Sequence, residues 1–230
     1  MNNAISRFTF SALLLSAVSA SYAQDVNNQG YYVSAKVATA NLKADNMETS
    51  LRPGIGQFVA GQDDEDVTNF SLGLGYDFGN GWRTEAEYTI KNDAEFTSGS
   101  TNFATSFNHH KVDTQRLMFN AYRDFEIVQN VSVYGNVGLG IAQNESSGWQ
   151  GNVSRQYHSN KETQLVYSLG AGATYQAIKK LNLDLGYRYV DLGKADSGLN
   201  NFTNARNLQD EQMKSHLYSS EFYLGARYKF

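Results

Sequence analysis

The chain has 230 residues, no cysteine, 41% apolar residues and a formal net charge of −4, and its mean hydropathy is −0.49. The absence of cysteine excludes a small secreted protein held together by disulfides. A bundle of membrane-spanning helices is excluded because no stretch after residue 23 approaches the roughly 18 consecutive apolar residues of a helical span. The slight acidic balance gives no reason to expect a nucleic-acid partner.

The first 23 residues have the order of a secretory signal peptide. Arg7 precedes a short apolar run at residues 12–20, which ends in small residues at the positions that a signal peptidase recognises. The run is shorter than the roughly 20 apolar residues that cross a bilayer as a helix. We therefore predict a cleaved signal peptide at residues 1–23 and a mature domain at residues 24–230.

Eight segments of the mature chain alternate between apolar and polar residues, which is the pattern of a β-strand. They cover residues 30–42, 67–78, 82–90, 112–125, 131–143, 162–175, 181–190 and 216–230. The last segment is the most informative, because its alternate positions from Phe222 to Phe230 are aromatic or apolar. A soluble edge strand with such a face would invite aggregation, whereas a strand between lipid and a barrel interior requires one.

The connections between these segments alternate between short and long. Residues 79–81, 126–130 and 176–180 form short turns, and residues 43–66, 91–111, 144–161 and 191–215 form long polar loops. This alternation is typical of a barrel with one rim in the periplasm and the other outside the cell. The sequence therefore predicts an all-β fold: an eight-stranded antiparallel up-and-down transmembrane β-barrel with long extracellular loops and short periplasmic turns.

Bulky apolar residues share one face of each predicted strand, and glycines and charges share the other. Because the interior of an eight-stranded barrel is only just wide enough for side chains, the bulky residues are expected to face lipid. Glycine normally weakens a strand, so its repetition on the inward face indicates close packing there. The inward glycines are Gly73, Gly75, Gly138, Gly140, Gly170, Gly172, Gly186 and Gly225.

The inward charges are costly to bury unless they are paired, so we predict a salt-bridge network. The expected pairs are Asp184 with Arg227, Arg188 with Glu221, Asp77 with Arg83, and Lys36 with Glu87 across Gly73; Glu85 and Arg116 are further members. A structural role is favoured over acid–base catalysis, because each acid has a nearby base. A charged lumen with many glycines leaves a narrow, porin-like channel for small solutes as an alternative.

Three motifs resemble one known family. Residues 183–193, which read Leu-Asp-Leu-Gly-Tyr-Arg-Tyr-Val-Asp-Leu-Gly, resemble the seventh-strand signature of the opacity-type surface proteins, a group related to the membrane domain of outer membrane protein A. Residues 120–125 resemble that family's fourth strand, and Tyr228 and Phe230 resemble the terminal signal read by the barrel-assembly machinery. The resemblance implies a monomeric outer-membrane barrel among outer-membrane lipids, with no cofactor and with loops that bind host or environmental ligands.

Aromatic residues in the long loops are the candidate ligand contacts. Phe96, Phe103 and Phe107 lie in the second loop and Trp149 lies in the third. Exposed aromatic side chains can anchor a protein or glycan partner. The same residues could instead pack within the loops or join the outer aromatic belt.

Two polar loop motifs are weaker candidates for cation sites. The acidic run at residues 63–66 could gather a divalent cation, but its spacing is not that of an EF-hand, and a solvated charge run is favoured. His109 and His110 are adjacent but lack an evident third ligand, so we expect no metal there.

A lipid-modifying enzyme is the least favoured function. It would need a nucleophile, a base within hydrogen-bond reach and an orienting group. The candidates are His158 with Ser159, which are adjacent and do not share a strand face, and His216 with Ser220, which lack an acid on their face. We therefore predict a non-enzymatic outer-membrane surface protein whose four long loops mediate adhesion or other surface interactions.

Overall fold

The computed structural model describes residues 29–47, 57–103, 105–204 and 206–230, so the predicted signal peptide lies outside the described residues. Within these ranges no helix is long and apolar enough to cross a membrane. The described strands are β1 (Gln29–Asp45), β2 (Phe58–Ala60), β3 (Asp64–Phe78), β4 (Trp82–Ser100), β5 (Asn108–Val128), β6 (Val131–Gln150), β7 (Asn152–Ile178), β8 (Leu181–Lys194) and β9 (His216–Lys229).

Eight of the nine described strands close into one antiparallel barrel, as predicted. Neighbouring strands pair in chain order, and β1 closes the ring by pairing with β9 from Tyr32↔Lys229 to Asp45↔His216. The short β2 is attached to the outer end of β4. The turns after β3, β5 and β7 all lie at one rim and contain two or three residues each.

Several strands extend well beyond their predicted ends. β4 and β5 pair up to Ser98↔Asn108, and β6 and β7 pair up to Gln150↔Asn152. The second and third connections are therefore β-hairpins with short tips rather than irregular loops. The predicted bounds were too short because we required an apolar outward face along each whole strand, and that face is needed only where it meets lipid.

A β-bulge in β4 decides which residues of its outer half face inward. The pairing with β5 shifts by one residue between Thr89 and Asn92, so the alternation changes face at that point. Below the bulge Glu87 is buried, and above it Phe96 is buried. Phe96 was predicted as a candidate surface contact, and that prediction is wrong because the bulge turns its ring into the interior.

The outward surface near the short-turn rim is a continuous apolar belt, which confirms the predicted face assignment. The edge of the belt farther from the short turns is formed by the exposed side chains of Val37, Phe70, Ile90, Leu117, Ile141, Leu165, Tyr189 and Phe222. The next outward residues are polar, among them Gln115, Gln143 and Thr163.

Beyond the belt, β4 to β7 continue for about nine residues, or about 30 Å along each strand. We call these extensions the outer wall; they comprise residues 91–100, 108–116, 142–150 and 152–164.

Candidate functional site

A chain of six alternating charges crosses the middle of the barrel interior. All six side chains are buried, and consecutive members are joined by N···O contacts of 2.5–2.6 Å. In order they are Glu85, Lys36, Glu87, Arg188, Glu221 and Arg116. Since three acids alternate with three bases, the chain is neutral as a whole, which lowers the cost of removing its members from water.

Neutral donors complete the hydrogen bonding of the acids in this chain. Ser34 Oγ donates to Glu85 at 2.8 Å, and Asn69 Nδ2 donates to Glu221 at 2.8 Å. Gly73 makes room for this arrangement, because a Cβ at that position would lie 2.4 Å from Ser34 Oγ and 2.9 Å from Glu85 Cδ. The side-chain-free position therefore brings the side chains of β1 and β4 together.

The predicted Asp77–Arg83 ion pair is not formed, although the two residues are register partners. The Arg83 guanidinium instead lies 3.7 Å from the centre of the Tyr122 ring, and its Nε donates to Asp124 at 2.9 Å. Asp77 accepts from Lys229 Nζ at 3.0 Å. The attraction of an aromatic face and a carboxylate on β5 thus turns Arg83 away from β3.

Tyrosine rings fill the interior nearer the short-turn rim, where they lie over glycines. The hydroxyl groups of Tyr134 and Tyr223 are hydrogen-bonded at 2.7 Å. A Cβ at Gly186 would lie 2.5 Å from Tyr223 Cζ and 2.6 Å from the Tyr134 hydroxyl. Arg227 and Asp184 form a 2.6 Å ion pair in the same region. We call Tyr32, Tyr122, Tyr134 and Tyr223 the tyrosine layer; all four are buried.

The interior becomes apolar toward the outer rim. Buried side chains from strands around the ring form one cluster, which we call the apolar cap. Its larger members are Leu42, Met47, Phe96, Val112, Met118, Val166, Val190, Leu192 and Leu217. Ala195, from the connection between β8 and β9, also belongs to the cap. The interior is therefore filled at three heights, by the apolar cap, the six-charge chain and the tyrosine layer.

Both lateral edges of the outer wall are covered by other parts of the chain. On the β4 side, Thr97 exchanges backbone hydrogen bonds with Gly61 and Gln62 at 3.0 and 2.8 Å. On the β7 side, His158 exchanges them with Leu199 and Gly198 at 3.0 and 2.7 Å. Covered edges prevent uncontrolled strand pairing, so the wall presents its faces and its tip to a partner.

The tip of the outer wall exposes apolar side chains to water. Phe103 is 55% exposed, Phe107 44%, Val59 47% and Val153 65%. Gly99 is the register partner of Val59, and a Cβ added to Gly99 would lie 3.5 Å from ring carbons of Phe107. The β6–β7 hairpin is tied to the same tip, since the backbone N–H at residue 151 donates to Phe107 O at 2.7 Å. We call Val59, Phe103, Phe107 and Val153 the apolar tip.

Trp149, the fourth candidate contact, is half-buried on the outward face of the wall. The His109 ring stacks on it with centroids 4.6 Å apart, and Lys111 Nζ lies 5.1 Å from its ring centre. Glu95 Oε1 lies 2.8 Å from His109 Nδ1. These contacts occupy much of the indole, so Trp149 is less available to a partner than Phe103.

His109 and His110 point to opposite sides of β5 and cannot share a metal ion. His109 faces outward, whereas His110 is buried with its Nε2 2.5 Å from Ser146 Oγ. Burial lowers the pKa of His110 to about 4. Among the described residues, no group of three or more His, Asp or Glu side chains is arranged to hold a metal ion.

The charges on the outward face of the wall are paired across strands and exposed. Lys91 Nζ contacts Asp113 at 2.7 Å and Glu145 at 3.3 Å, and Lys161 Nζ contacts Glu145 at 3.2 Å. The hydrogen bond to Asp113 raises the pKa of Lys91. The acidic run at residues 63–66 also lies partly in a strand: Asp64 and Asp66 each accept from Asn41 Nδ2 at 3.0 Å.

Neither candidate enzyme pair forms a nucleophile–base contact. Asp191 Oδ1 lies 2.7 Å from His216 Nε2, so β8 supplies an acid that the sequence analysis did not find for this histidine. Ser220, however, accepts from the Tyr187 hydroxyl at 3.3 Å and lies four residues from His216, or about 13 Å along a strand. Ser159 donates to Glu145 at 3.0 Å and not to His158.

Tyr228 and Phe230 lie at the short-turn rim, with exposed rings whose centroids are 5.9 Å apart. Sequence reasoning missed two interior partners, Asp124 and Lys229. Asp124 shares the inward alternation of Arg116 on β5, so that signal could have identified it. Val59 and Val153 of the apolar tip were missed because only aromatic residues of the predicted loops were chosen as candidate contacts.

The family described as outer membrane protein beta-barrel domain matches residues 10–230. A Rickettsia bellii protein named "Putative adhesin" is 27% identical over 214 residues, which cover 85% of this chain and 86% of that protein. A Rickettsia typhi protein of the same name is 28% identical over 199 residues, covering 81% and 82%.

Two solved structures have the same fold at low sequence identity. Neisserial surface protein A has a TM-score of 0.51 and 19% identity, with 87% of this chain and 97% of that chain covered. The outer membrane protease OmpT from Escherichia coli has a TM-score of 0.51 and 9% identity, with 90% and 99% covered. At these identities the similarity concerns the fold alone.

Proposed function

Because the chain belongs to the outer membrane protein beta-barrel domain family and lies in the outer membrane, we propose that it is a non-enzymatic surface adhesin that binds its ligand through the apolar tip. The observation that carries this proposal is the exposure of Phe103, Phe107, Val59 and Val153 to water rather than to lipid. Phe107 lies beside the Gly99–Val59 pair at this tip, and an apolar patch on a water-facing surface marks an interaction site. The relatives named as adhesins support the same class of function.

The outer wall supports this proposal by its position. It places the apolar tip about 30 Å along the strands beyond the apolar belt, clear of the lipid headgroups. The covered edges at Thr97 and His158 leave the tip as the surface that a large ligand reaches first. The ligand is expected to be a host or environmental surface molecule with an apolar contact patch.

The same observations weigh against the two alternative functions. Catalysis on lipid would need a serine activated by a histidine, and Ser159 and Ser220 are instead bonded to Glu145 and Tyr187. A channel would need an open lumen, and the interior is filled at three heights. We therefore favour a binding role over both.

The short-turn rim and the closed ring of strands support two further proposals, on assembly and on oligomeric state. Tyr228 and Phe230, exposed beside each other at the short-turn rim, are the residues that we propose the barrel-assembly machinery reads. The closed ring from β1 to β9 needs no second copy to complete it, so we propose a monomer.

A binding assay with a matched control tests the adhesin proposal. The double variant Phe103→Ser, Phe107→Ser removes the rings of the apolar tip, and Leu208→Ser removes an apolar side chain of similar exposure, 47%, from the β8–β9 connection. Bacteria displaying each variant are incubated with cultured cells and with extracellular matrix. We expect the double variant to bind at least fivefold less than the wild type and Leu208→Ser to bind normally.

Folding is checked by the difference in gel mobility between unheated and boiled protein, which a closed barrel shows. If the folded double variant binds as well as the wild type, the apolar tip is not the contact surface. If the folded wild type raises binding to none of these surfaces, the adhesin proposal fails.

A further inference from the structure

The turn between β3 and β4 contains the only Asn-Gly dipeptide of the chain, at residues 80 and 81. The turn lies at the short-turn rim, and the Asn80 side chain is exposed to water. Glycine has no Cβ, so it leaves its own backbone nitrogen unhindered, and the side chain of a preceding asparagine reaches that nitrogen to close an imide ring. The dipeptide therefore marks a candidate site of covalent change.

Glycine at position 81 is required by the turn itself. Its φ angle is +82°, a conformation that is costly for a residue with a Cβ. A Cβ there would also overlap Arg123 Nη1 and lie 2.8 Å from Asp124 O. The fold therefore keeps a glycine directly after Asn80.

The attacking atom in such a ring closure is the Gly81 backbone nitrogen, and its surroundings favour the reaction. Its N–H donates to none of the described residues, whereas the Gly81 carbonyl accepts from Asp124 N at 2.7 Å. Arg123 Nη1 donates to Asn80 O at 2.6 Å. That carbonyl belongs to the same peptide group as the Gly81 nitrogen, so the cation stabilises the anion that forms when this nitrogen loses its proton.

The side-chain amide of Asn80, which is the group attacked, is activated by a second hydrogen bond. Trp82 N donates to Asn80 Oδ1 at 3.2 Å. A backbone N–H at this oxygen draws electrons from Cγ and stabilises the negative charge that the oxygen acquires during attack. The Arg123 guanidinium is held in place nearby, 5.4 and 5.2 Å from the ring centres of Trp82 and Phe125. Nucleophile and electrophile are therefore both polarised toward ring closure.

We propose that Asn80 is a modification site, at which the side-chain amide is converted spontaneously to a carboxylate with water as the only co-reactant. Gly81 N forms a bond to Asn80 Cγ and loses its proton, the Cγ–Nδ2 bond breaks, and ammonia leaves. Water then opens the five-membered imide at either carbonyl. One opening gives aspartate at position 80, and the other gives an isoaspartyl linkage, in which the main chain runs through the side-chain carbon.

The modification changes the short-turn rim in two ways. Each converted turn gains a negative charge beside Arg123, which already donates to the carbonyl of this residue. The isoaspartyl product also adds one main-chain atom to the turn between Phe78 and Trp82. Aged protein is therefore a mixture of charge forms, while the apolar tip at the opposite rim is unchanged.

Peptide mapping of the folded protein in lipid nanodiscs tests this proposal. After incubation at neutral pH in heavy-oxygen water, fragment ions should show one heavy oxygen at residue 80, in both the aspartyl and the isoaspartyl form. Asn130 is the internal control: it is exposed in the turn after β5 at the same rim but is followed by Val131, so it should keep its amide.

The variant Arg123→Met isolates the contribution of the guanidinium, and Lys179→Met is the matched loss of an exposed cation at the same rim. We expect Arg123→Met to slow the conversion at least threefold and Lys179→Met to leave its rate unchanged. Equal rates for both variants and the wild type would overturn the role of Arg123. The whole proposal is overturned if the folded wild type keeps its Asn80 amide over a period in which the urea-unfolded chain loses it.

Discussion

Arg188 Nε and Glu221 Oε2 lie 2.6 Å apart in the middle of the barrel, with side chains only 2% and 0% exposed. Each also holds a second ion: Arg188 contacts Glu87, and Glu221 contacts Arg116. The pair thus joins Arg116 to the part of the six-charge chain that holds Glu87, Lys36 and Glu85. Removing one member leaves two other buried charges short of a partner.

Arg188→Leu should therefore lower the free energy of unfolding by about 3–5 kcal/mol, the usual cost of breaking a buried ion pair. Guanidinium titration of the barrel in lipid vesicles measures this change. Lys91→Ala is the matched control, because Lys91 pairs with Asp113 on the exposed surface and should cost less than about 1 kcal/mol. Equal losses for the two variants would show that the interior chain contributes no more than a surface pair.

Inward and outward glycines should respond oppositely to alanine. A Cβ at Gly186 meets both rings of the Tyr134–Tyr223 pair, so Gly186→Ala should cost about 1–3 kcal/mol by overpacking. A Cβ at Gly135 meets no atom closer than 4.0 Å, so Gly135→Ala should be neutral or slightly stabilising. Unfolding midpoints of the two variants test this, and a tolerant Gly186 would mean that the tyrosine rings shift readily.

Phe96 and Phe103 lie in or near the same hairpin but should contribute very differently to the free energy of unfolding. Phe96 is buried in the apolar cap, so Phe96→Ala should cost about 3–5 kcal/mol through the cavity that it leaves. Phe103 is exposed at the tip, so Phe103→Ala should change stability by less than about 0.5 kcal/mol. Thermal unfolding of both variants makes the comparison. A stable Phe96→Ala barrel would contradict the inward placement of this ring.

The alternation of residues along the strands was enough to predict the barrel, its apolar belt and most of its interior pairs. The expected Asp184–Arg227 contact joins diagonal neighbours on adjacent strands, because Asp184 is the register partner of Gly225. Lys36 on β1 reaches Glu87 on β4 across β3, where Gly73 carries no side chain. Local pattern suffices here because each strand has one face toward lipid and one toward a narrow interior.

The outer wall could not be predicted in the same way. Above the lipid the outward face becomes polar, so the pattern that identifies a lipid-facing strand ends at Ile90 although β4 continues to Ser100. The bulge after Thr89 then reverses the alternation, which sends Phe96 inward. Arg83 shows a further limit: register places it beside Asp77, but contacts with Asp124 and Tyr122 decide where its long side chain goes.

Stability should fall in mild acid because of His110. Burial lowers its pKa to about 4 from the ordinary value of 6.5, so between these values the unfolded chain binds a proton that the folded protein does not. The contribution of neutral His110 is complete above pH 6.5 and is lost as the pH falls toward 4, for a total of roughly 3 kcal/mol.

Urea unfolding in detergent from pH 4 to pH 7.5 measures this slope. His110→Asn should flatten the profile in that window, whereas the exposed His158→Asn should leave it unchanged. A His110→Asn profile as steep as that of the wild type would assign the acid sensitivity to other groups.

The filled interior predicts that the folded protein is electrically silent in planar bilayers. Tyr134→Ala with Tyr223→Ala removes two of the four rings of the tyrosine layer, yet this variant should also be silent, because Phe96 and the rest of the apolar cap still close the barrel above it. Adding Phe96→Ala enlarges the space at both levels, so we expect conductance first in this triple variant, although the six-charge chain still restricts the current. Gel mobility before and after heating checks that each variant is folded. Step-like conductance from the wild type would contradict the closed interior and restore a narrow channel as the leading alternative.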